Sequence, residues 1–255
     1  LARPQIISEN KIIKKEGIDI VVALDLSQSM LQRDFKPNRL ETAKKLLEEF
    51  INKRVNDRIS LVVFGGDAYT KVPLTFDHNV VKDITSKLTT DDITSNNRTA
   101  IGMGLGVSLN RLKDSEAKSK VIILMTDGEN NSGEMSPMGA SEIAKELGIK
   151  IYTIGIGARE IQIRVPFGHT TVKNTELDEN LLKNIASTTG GEYFRAGSEK
   201  EFQEIFNRID SLEKTKIDGR SYYEKDELYE NILKIALLLL VIGAFFEYKK
   251  YIKIP

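Results

Sequence analysis

Asp25-Leu26-Ser27-Gln28-Ser29 sets one carboxylate and two hydroxyls at alternate positions. Alternate side chains of a turn can aim three oxygens at one point, and hard oxygen donors suit Mg²⁺, Mn²⁺ or Ca²⁺. Two other stretches offer the same chemistry. Asn97-Arg98-Thr99-Ala100 supplies a hydroxyl, and Met125-Thr126-Asp127-Gly128 a second carboxylate. Each also has an ordinary explanation: an Asp/Ser turn, a Thr that caps a helix, an Asp before Gly in a turn. A shared site is favoured only if the elements carrying these residues bring them to one place.

The elements do so. Residues 18–24 form a nearly continuous β-branched apolar run, as expected of a strand covered on both faces, and Asp25 ends it. Leu40, Ala43, Leu46, Leu47, Phe50 and Ile51 share one face of a helix opened by Pro37-Asn38-Arg39. Further strands are expected at 59–64, 69–74, 121–125, 151–156 and 192–195, with Pro73 marking 69–74 as an edge. Helices are expected after Asp77 and over 101–112, 141–147, 181–187 and 199–212. Strands alternating with helices predict an α/β fold: an open, doubly wound, mostly parallel, Rossmann-like sheet with helices on both faces and one antiparallel edge strand. The domain is expected over 17–212, with an insertion near 158–180 that reads as a loop or small hairpin. Ligands of such sheets gather at the carboxyl ends of the strands, where Asp25 and Asp127 fall.

Composition excludes several alternatives. Lys and Arg balance Asp and Glu at 37 each, which gives no reason to expect nucleic acid, and the absence of cysteine removes disulfides and thiolate chemistry. There is no phosphate-binding Gly-x-x-x-x-Gly-Lys loop and no Gly-x-Ser-x-Gly elbow. Gly102, Gly104 and Gly106 lie inside a helical pattern, and the two histidines, His78 and His169, are poorly placed to serve as a general base. A metal-dependent phosphohydrolase is therefore the alternative to a non-enzymatic binding domain, and a scaffold with a vestigial site is a third.

Residues 213–230 read as a juxtamembrane connector, 231–248 as a transmembrane helix and 249–255 as a tail. The run 235–246 is wholly apolar; with Ile232 and Leu233 the segment nears the about 20 residues needed to span a bilayer. Lys234 would snorkel. Lys249, Lys250 and Lys253 follow the run and Glu224, Asp226, Glu227 and Glu230 precede it, which predicts a cytoplasmic C-terminus and a domain on the outer, periplasmic side. The start at Leu1, without a Met, reads as a processed or truncated chain, with residues 1–16 as a connector.

Asp25, Ser27, Ser29, Thr99 and Asp127 resemble, in order and strand context, the metal-ion-dependent adhesion site (MIDAS) of von Willebrand factor type A domains. Arg33-Asp34-Phe35-Lys36-Pro37-Asn38-Arg39-Leu40, Asp57-Arg58-Ile59 and Thr126-Asp127-Gly128-Glu129-Asn130-Asn131 look like the BatA type of bacterial aerotolerance-operon protein, although Gln28 stands where many relatives carry Gly. The resemblance implies Ser27, Ser29 and Thr99 as direct ligands of Mg²⁺ (Mn²⁺ or Ca²⁺ as alternatives), with Asp25 and Asp127 acting largely through water. Neutral inner ligands would leave the ion able to take an Asp or Glu of a protein partner. The resemblance also implies an inner-membrane location, with sister membrane proteins and a MoxR-type AAA+ ATPase as partners.

Overall fold

The structure, a computed structural model, describes residues 5–8, 17–95, 97–158, 160–165, 168–173, 177–214, 224–227 and 229–251. The chain divides into two units, Glu16–Ile217 and the combined segments Leu1–Lys15 and Asp218–Pro255. In chain order the strands are β1 (Gln5–Ser8), β2 (Asp19–Asp25), β3 (Arg58–Phe64), β4 (Ala68–Thr75), β5 (Lys120–Thr126), β6 (Lys150–Ile156), β7 (Glu160–Val165), β8 (Gly168–Lys173), β9 (Tyr193–Ala196) and β10 (Glu224–Glu227). The helices are α1 (Arg39–Asn52), α2 (His78–Lys87), α3 (Ile101–Leu112), α4 (Pro137–Glu146), α5 (Glu179–Thr189), α6 (Glu199–Lys214) and α7 (Tyr229–Tyr251).

The larger unit holds a six-stranded sheet in the order β4-β3-β2-β5-β6-β9. All pairings are parallel except β3 with β4 at the edge. All seven residues of β2 are buried, as a strand covered on both faces demands. One core layer packs Leu40, Leu47 and Phe50 of α1, Val81 of α2 and Phe202 of α6 on the sheet; the other packs Ile101 and Leu105 of α3, Ala140 of α4 and Leu182 of α5. Each large apolar side chain buried this way contributes about 1.5–3 kcal/mol, so the two layers hold the sheet rigid under the loops at its carboxyl edge.

Local chemistry explains the departures from expectation. Helix α4 begins at Pro137, four residues before the expected start, because the Ser136 hydroxyl accepts from Gly139 N–H and Pro occupies the first turn. Pro73 sits where the β3–β4 register shifts, so its missing N–H breaks no regular pair. The insertion is a hairpin, β7 antiparallel to β8. The glycines of α3 are packing residues: a Cβ on Gly102 would lie 1.9 Å from the Met135 carbonyl oxygen, and one on Gly104 would lie 2.8 Å from the Phe64 ring. Their absence of side chains lets α3 approach both its neighbouring loop and the sheet.

In the smaller unit β1 pairs antiparallel with β10, and α7 presents Leu233, Leu237–Leu240, Phe245 and Phe246 outward. The expected transmembrane helix over 231–248 is corrected here. A helix does form over this segment, but among the described residues no helix is long and apolar enough to cross a membrane. The physical reason is the brevity of the uncharged run: Lys234 and Glu247 leave 12 residues between them, short of the about 20 that span a bilayer. Residues 1–4, 9–16, 215–223 and 252–255, which fall in the expected connectors and tail, lie outside the described residues.

Candidate metal centre

The site grows from the topology. The chain leaves β2 toward β3 on one side and returns to place β5 on the other, so the loops after β2 and β5 diverge and open a crevice at the carboxyl edge. Leu24 pairs with Met125, and that register sets Thr126 beside Asp25, the last residue of β2. The Thr126 hydroxyl donates to Asp25 Oδ2 at 2.6 Å, and Ser27 N–H donates to Asp25 Oδ1 at 2.8 Å. Asp25 is completely buried. Burial, then the neighbouring Asp127 charge, push its carboxyl up to about 7 against the opposing pull of Ser27 and Thr126.

The ordinary explanations for the other residues do not hold in the structure. Ser27 precedes the short 3-10 turn Gln28–Leu31, yet its hydroxyl makes no capping bond; it lies 3.0 Å from Ser29 Oγ. Helix α3 is capped from Ala100, without a side-chain bond, so Thr99 is not its cap. Thr99 is instead clamped by its backbone: its N–H donates to Asn131 Oδ1 at 2.9 Å, and its carbonyl accepts from Asn131 and Ser132 N–H. Asp127 Oδ1 accepts from Ser29 Oγ at 2.6 Å, and its Oδ2 accepts from Arg39 Nη1 at 2.8 Å.

A cavity of about 490 Å³ at this edge is lined by Ser27, Ser29, Thr99 and Asp127, with Gln28, Gln32, Asn97, Gly128, Glu129 and Asn131 at its rim. The structure therefore brings all five sequence-predicted residues together, four on the cavity wall and Asp25 buried at the end of β2 behind Ser27. Among the described residues no group of three or more His, Cys, Asp or Glu could hold a metal ion. The donor set here is mainly hydroxyl, and its fit to a hard cation rests on three converging hydroxyl residues beside two buried carboxylates.

Sequence reasoning gave no role to Arg39, Asp34, Thr126 or Asn131. Arg39 is fully buried between Asp34 and Asp127. The local trace in the sequence is an arginine at the start of a helix five residues after an Asp, and it does not tell that the pair is buried. His78 lies elsewhere: its Nε2 is 2.8 Å from the Asp57 carbonyl oxygen, just before β3 and so at the amino edge. The seven residues of β3 put that about 20 Å from the cavity. The side chain of His169 lies outside the described residues.

A profile of the von Willebrand factor type A domain matches residues 19–208, and the chain belongs to that family. An uncharacterized protein of Borreliella burgdorferi is 34% identical over 254 residues, covering 97% of this chain and 74% of that one. The chain spans 58% of a Mycolicibacterium gilvum relative that is 27% identical, less than two thirds of its length. Among solved structures, BatB of Bacteroides thetaiotaomicron superposes with a TM-score of 0.66 at 30% identity, over 78% of this chain and 100% of that one. An aerotolerance-related membrane protein of Bacteroides fragilis gives 0.65 at 29% identity, over 76% and 100%. The fold is also that of a mussel byssus thread matrix protein with a zinc-occupied MIDAS motif, at a TM-score of 0.60, 24% identity and coverage of 79% and 47%.

Proposed function

We propose that this protein is a membrane-attached binding domain, not an enzyme, that grips a protein partner through a divalent cation, preferentially Mg²⁺. The observation that carries the reading is the convergence of Ser27, Ser29, Thr99 and Asp127 on one open cavity with buried Asp25 behind them. The Ser27, Ser29 and Thr99 hydroxyls would be the direct ligands; Asp127 on the cavity wall and Asp25 buried behind it would act through bound water. The ion, when bound, supplies an electrophilic centre for an anionic oxygen from outside. Because the nearest donors are neutral, that oxygen is an Asp or Glu carboxylate of the partner. The zinc-occupied motif of the mussel protein, though on a distant relative, is in keeping with a divalent cation at this edge of the fold.

Membrane attachment is supported by the outward apolar face of α7 and by the aerotolerance-related membrane protein among the similar structures. In this reading the outward apolar side chains of α7 attach the domain to the inner membrane on its periplasmic side. The family resemblance makes sister membrane proteins and a cytoplasmic MoxR-type AAA+ ATPase the candidate members of its complex. Protease accessibility of the domain in spheroplasts tests the orientation; protection from external protease would sink it.

The function itself is tested by calorimetric Mg²⁺ titration of the detergent-solubilised full chain, wild type against Asp25→Ala. Saturable binding of one ion that the variant loses, followed by chelator-sensitive capture of a carboxylate-bearing sister protein, is the expected result. Wild-type protein that binds neither Mg²⁺ nor Mn²⁺ would overturn the reading.

A further inference from the structure

Within the segment Arg33–Leu40, Arg39 bonds Asp127 of the candidate site and Asp34 bonds Arg39. Arg39, the first residue of α1, is wholly buried. Its Nε donates to Asp34 Oδ1 at 2.9 Å and its Nη2 to Asp34 Oδ2 at 2.9 Å, a two-pronged grip. Its Nη1 donates to Asp127 Oδ2 at 2.8 Å, while the other Asp127 oxygen accepts from Ser29 at 2.6 Å. Asp34 Oδ2 also accepts the Ala158 N–H at 2.8 Å. Ala158 lies two residues before the β7–β8 hairpin, and its carbonyl accepts from Arg195 Nη2 of β9 at 3.2 Å. An unbroken line of hydrogen bonds thus runs from the cavity wall to the base of the insertion: Ser29, Asp127, Arg39, Asp34, Ala158.

A guanidinium is planar and rigid, so it cannot follow one carboxylate without turning against the other. We propose that Arg39 is a positioning residue that couples the two features: it holds Asp127 toward Ser29 and, through Asp34, fixes the base of the β7–β8 hairpin, so that cation occupancy and hairpin order rise and fall together. The inference rests on the reading of Asp127 as a cation-site residue. A dication beside Asp127 competes with Arg39 for that carboxylate. Arg39 then leans more fully on Asp34, whose bond to Ala158 is thereby better fixed. Coupling is reciprocal, so a partner that engages the hairpin changes the affinity for the cation.

The test is amide hydrogen exchange on the full chain in detergent, with and without Mg²⁺, in wild type, Asp34→Asn and Asp127→Asn. Mg²⁺ is expected to slow exchange at Ala158 and in β7–β8 of the wild type by about fivefold or more. In Asp34→Asn, exchange at Ala158 is expected to be fast and insensitive to Mg²⁺, and calorimetric Mg²⁺ affinity to fall about fivefold or more, because Arg39 turns wholly to Asp127. Asp34→Asn with wild-type Mg²⁺ affinity and wild-type protection at Ala158 would overturn the coupling while leaving the cation site standing. Asp127→Asn examines the line without metal: released Arg39 must change the exchange at Ala158 in Mg²⁺-free protein. No change there overturns the coupling, and a change supports it even if the wild type binds no Mg²⁺, in which case it is the cation reading that fails.

Discussion

The two edges of the central sheet treat buried carboxylates in opposite ways. At the amino edge each carboxylate is closed by its own cation. Asp19 is bonded by Arg58 and by Ser115; Asp57 accepts from Arg54 Nη1 at 3.1 Å and from Ile18 N–H at 2.9 Å; Glu213 accepts from Lys150, from Tyr152 Oη at 2.6 Å and from Ser119 at 2.6 Å. At the carboxyl edge Arg39 divides itself between Asp34 and Asp127, and Asp25 is paired with no cation among the described residues; it accepts from Ser27 N–H and the Thr126 hydroxyl. The consequence is visible in the acidities. Burial raises the Glu213 carboxyl, but Lys150, Ser119 and Tyr152 outweigh it and the net shift is downward. Burial and Asp127 raise that of Asp25, and its hydrogen bonds do not compensate. One edge is finished by the fold. The other holds negative charge that a cation from solution would complete, which is how a fold can store affinity for an ion.

The largest effect that would break this contrast lies at the finished edge. Glu213→Ala leaves the Lys150 ammonium and the Tyr152 hydroxyl without their buried acceptor and is expected to destabilise the fold by about 3 kcal/mol, the low end for a broken buried pair because Lys150 is partly exposed. Mg²⁺ affinity of the folded protein is expected to stay unchanged. Urea denaturation and calorimetry on the same protein check both halves, and a change in affinity would mean that the two edges are not independent. The reverse holds for Asp25→Asn. It keeps the shape, removes a buried charge, and is expected to weaken Mg²⁺ binding by about 10–100-fold, as loss of an outer-sphere group does. Its Mg²⁺-free stability at pH 8 is expected to equal or exceed that of wild type. A marked loss of stability there would show that Asp25 is a structural residue first.

How much of this was legible before the structure differs between backbone and charge. The order of strands and helices, the edge position of Tyr69–Leu74 and five candidate site residues could be read because each leaves a local trace: an apolar run, a proline, a short polar motif at a strand end. Apolar spacing places the start of α4 four residues late, although Ser136-Pro137 carries the capping signal. The hairpin was open between two readings because its antiparallel pairing leaves no helical or core periodicity. Least legible were the ion pairs. Arg39 and Asp127 are 88 residues apart and Lys150 and Glu213 are 63, and nothing local tells a charged residue that it will be buried beside another. For that reason the five candidate residues could be named, whereas the unequal supply of cations to the two edges, which marks one of them as a candidate site, could not.

The smallest expected effect is also the one that reads both edges in a single experiment, because they titrate with opposite sign. The Glu213 carboxyl is held below its ordinary value of 4.5 in the folded state. Its contribution is therefore complete above that value and is lost as the pH falls through the lower folded value. The Asp25 carboxyl is raised from 3.8 to about 7. Between those two values the folded protein holds a proton that the unfolded chain has released, so Mg²⁺-free stability falls as the pH rises from 4 toward 7. One proton sets the limit at about 1.4 kcal/mol per pH unit, and other groups titrating in the range reduce what is seen. With saturating Mg²⁺ Asp25 is ionised at all these values, and the decline should vanish. Thermal unfolding from pH 4 to 8 is therefore expected to give two curves that separate as the pH rises, with that widening absent in Asp25→Asn. Parallel curves in wild type would remove Asp25 from the cation site, whereas a widening that survives in Asp25→Asn would move the proton to another carboxylate at the same edge.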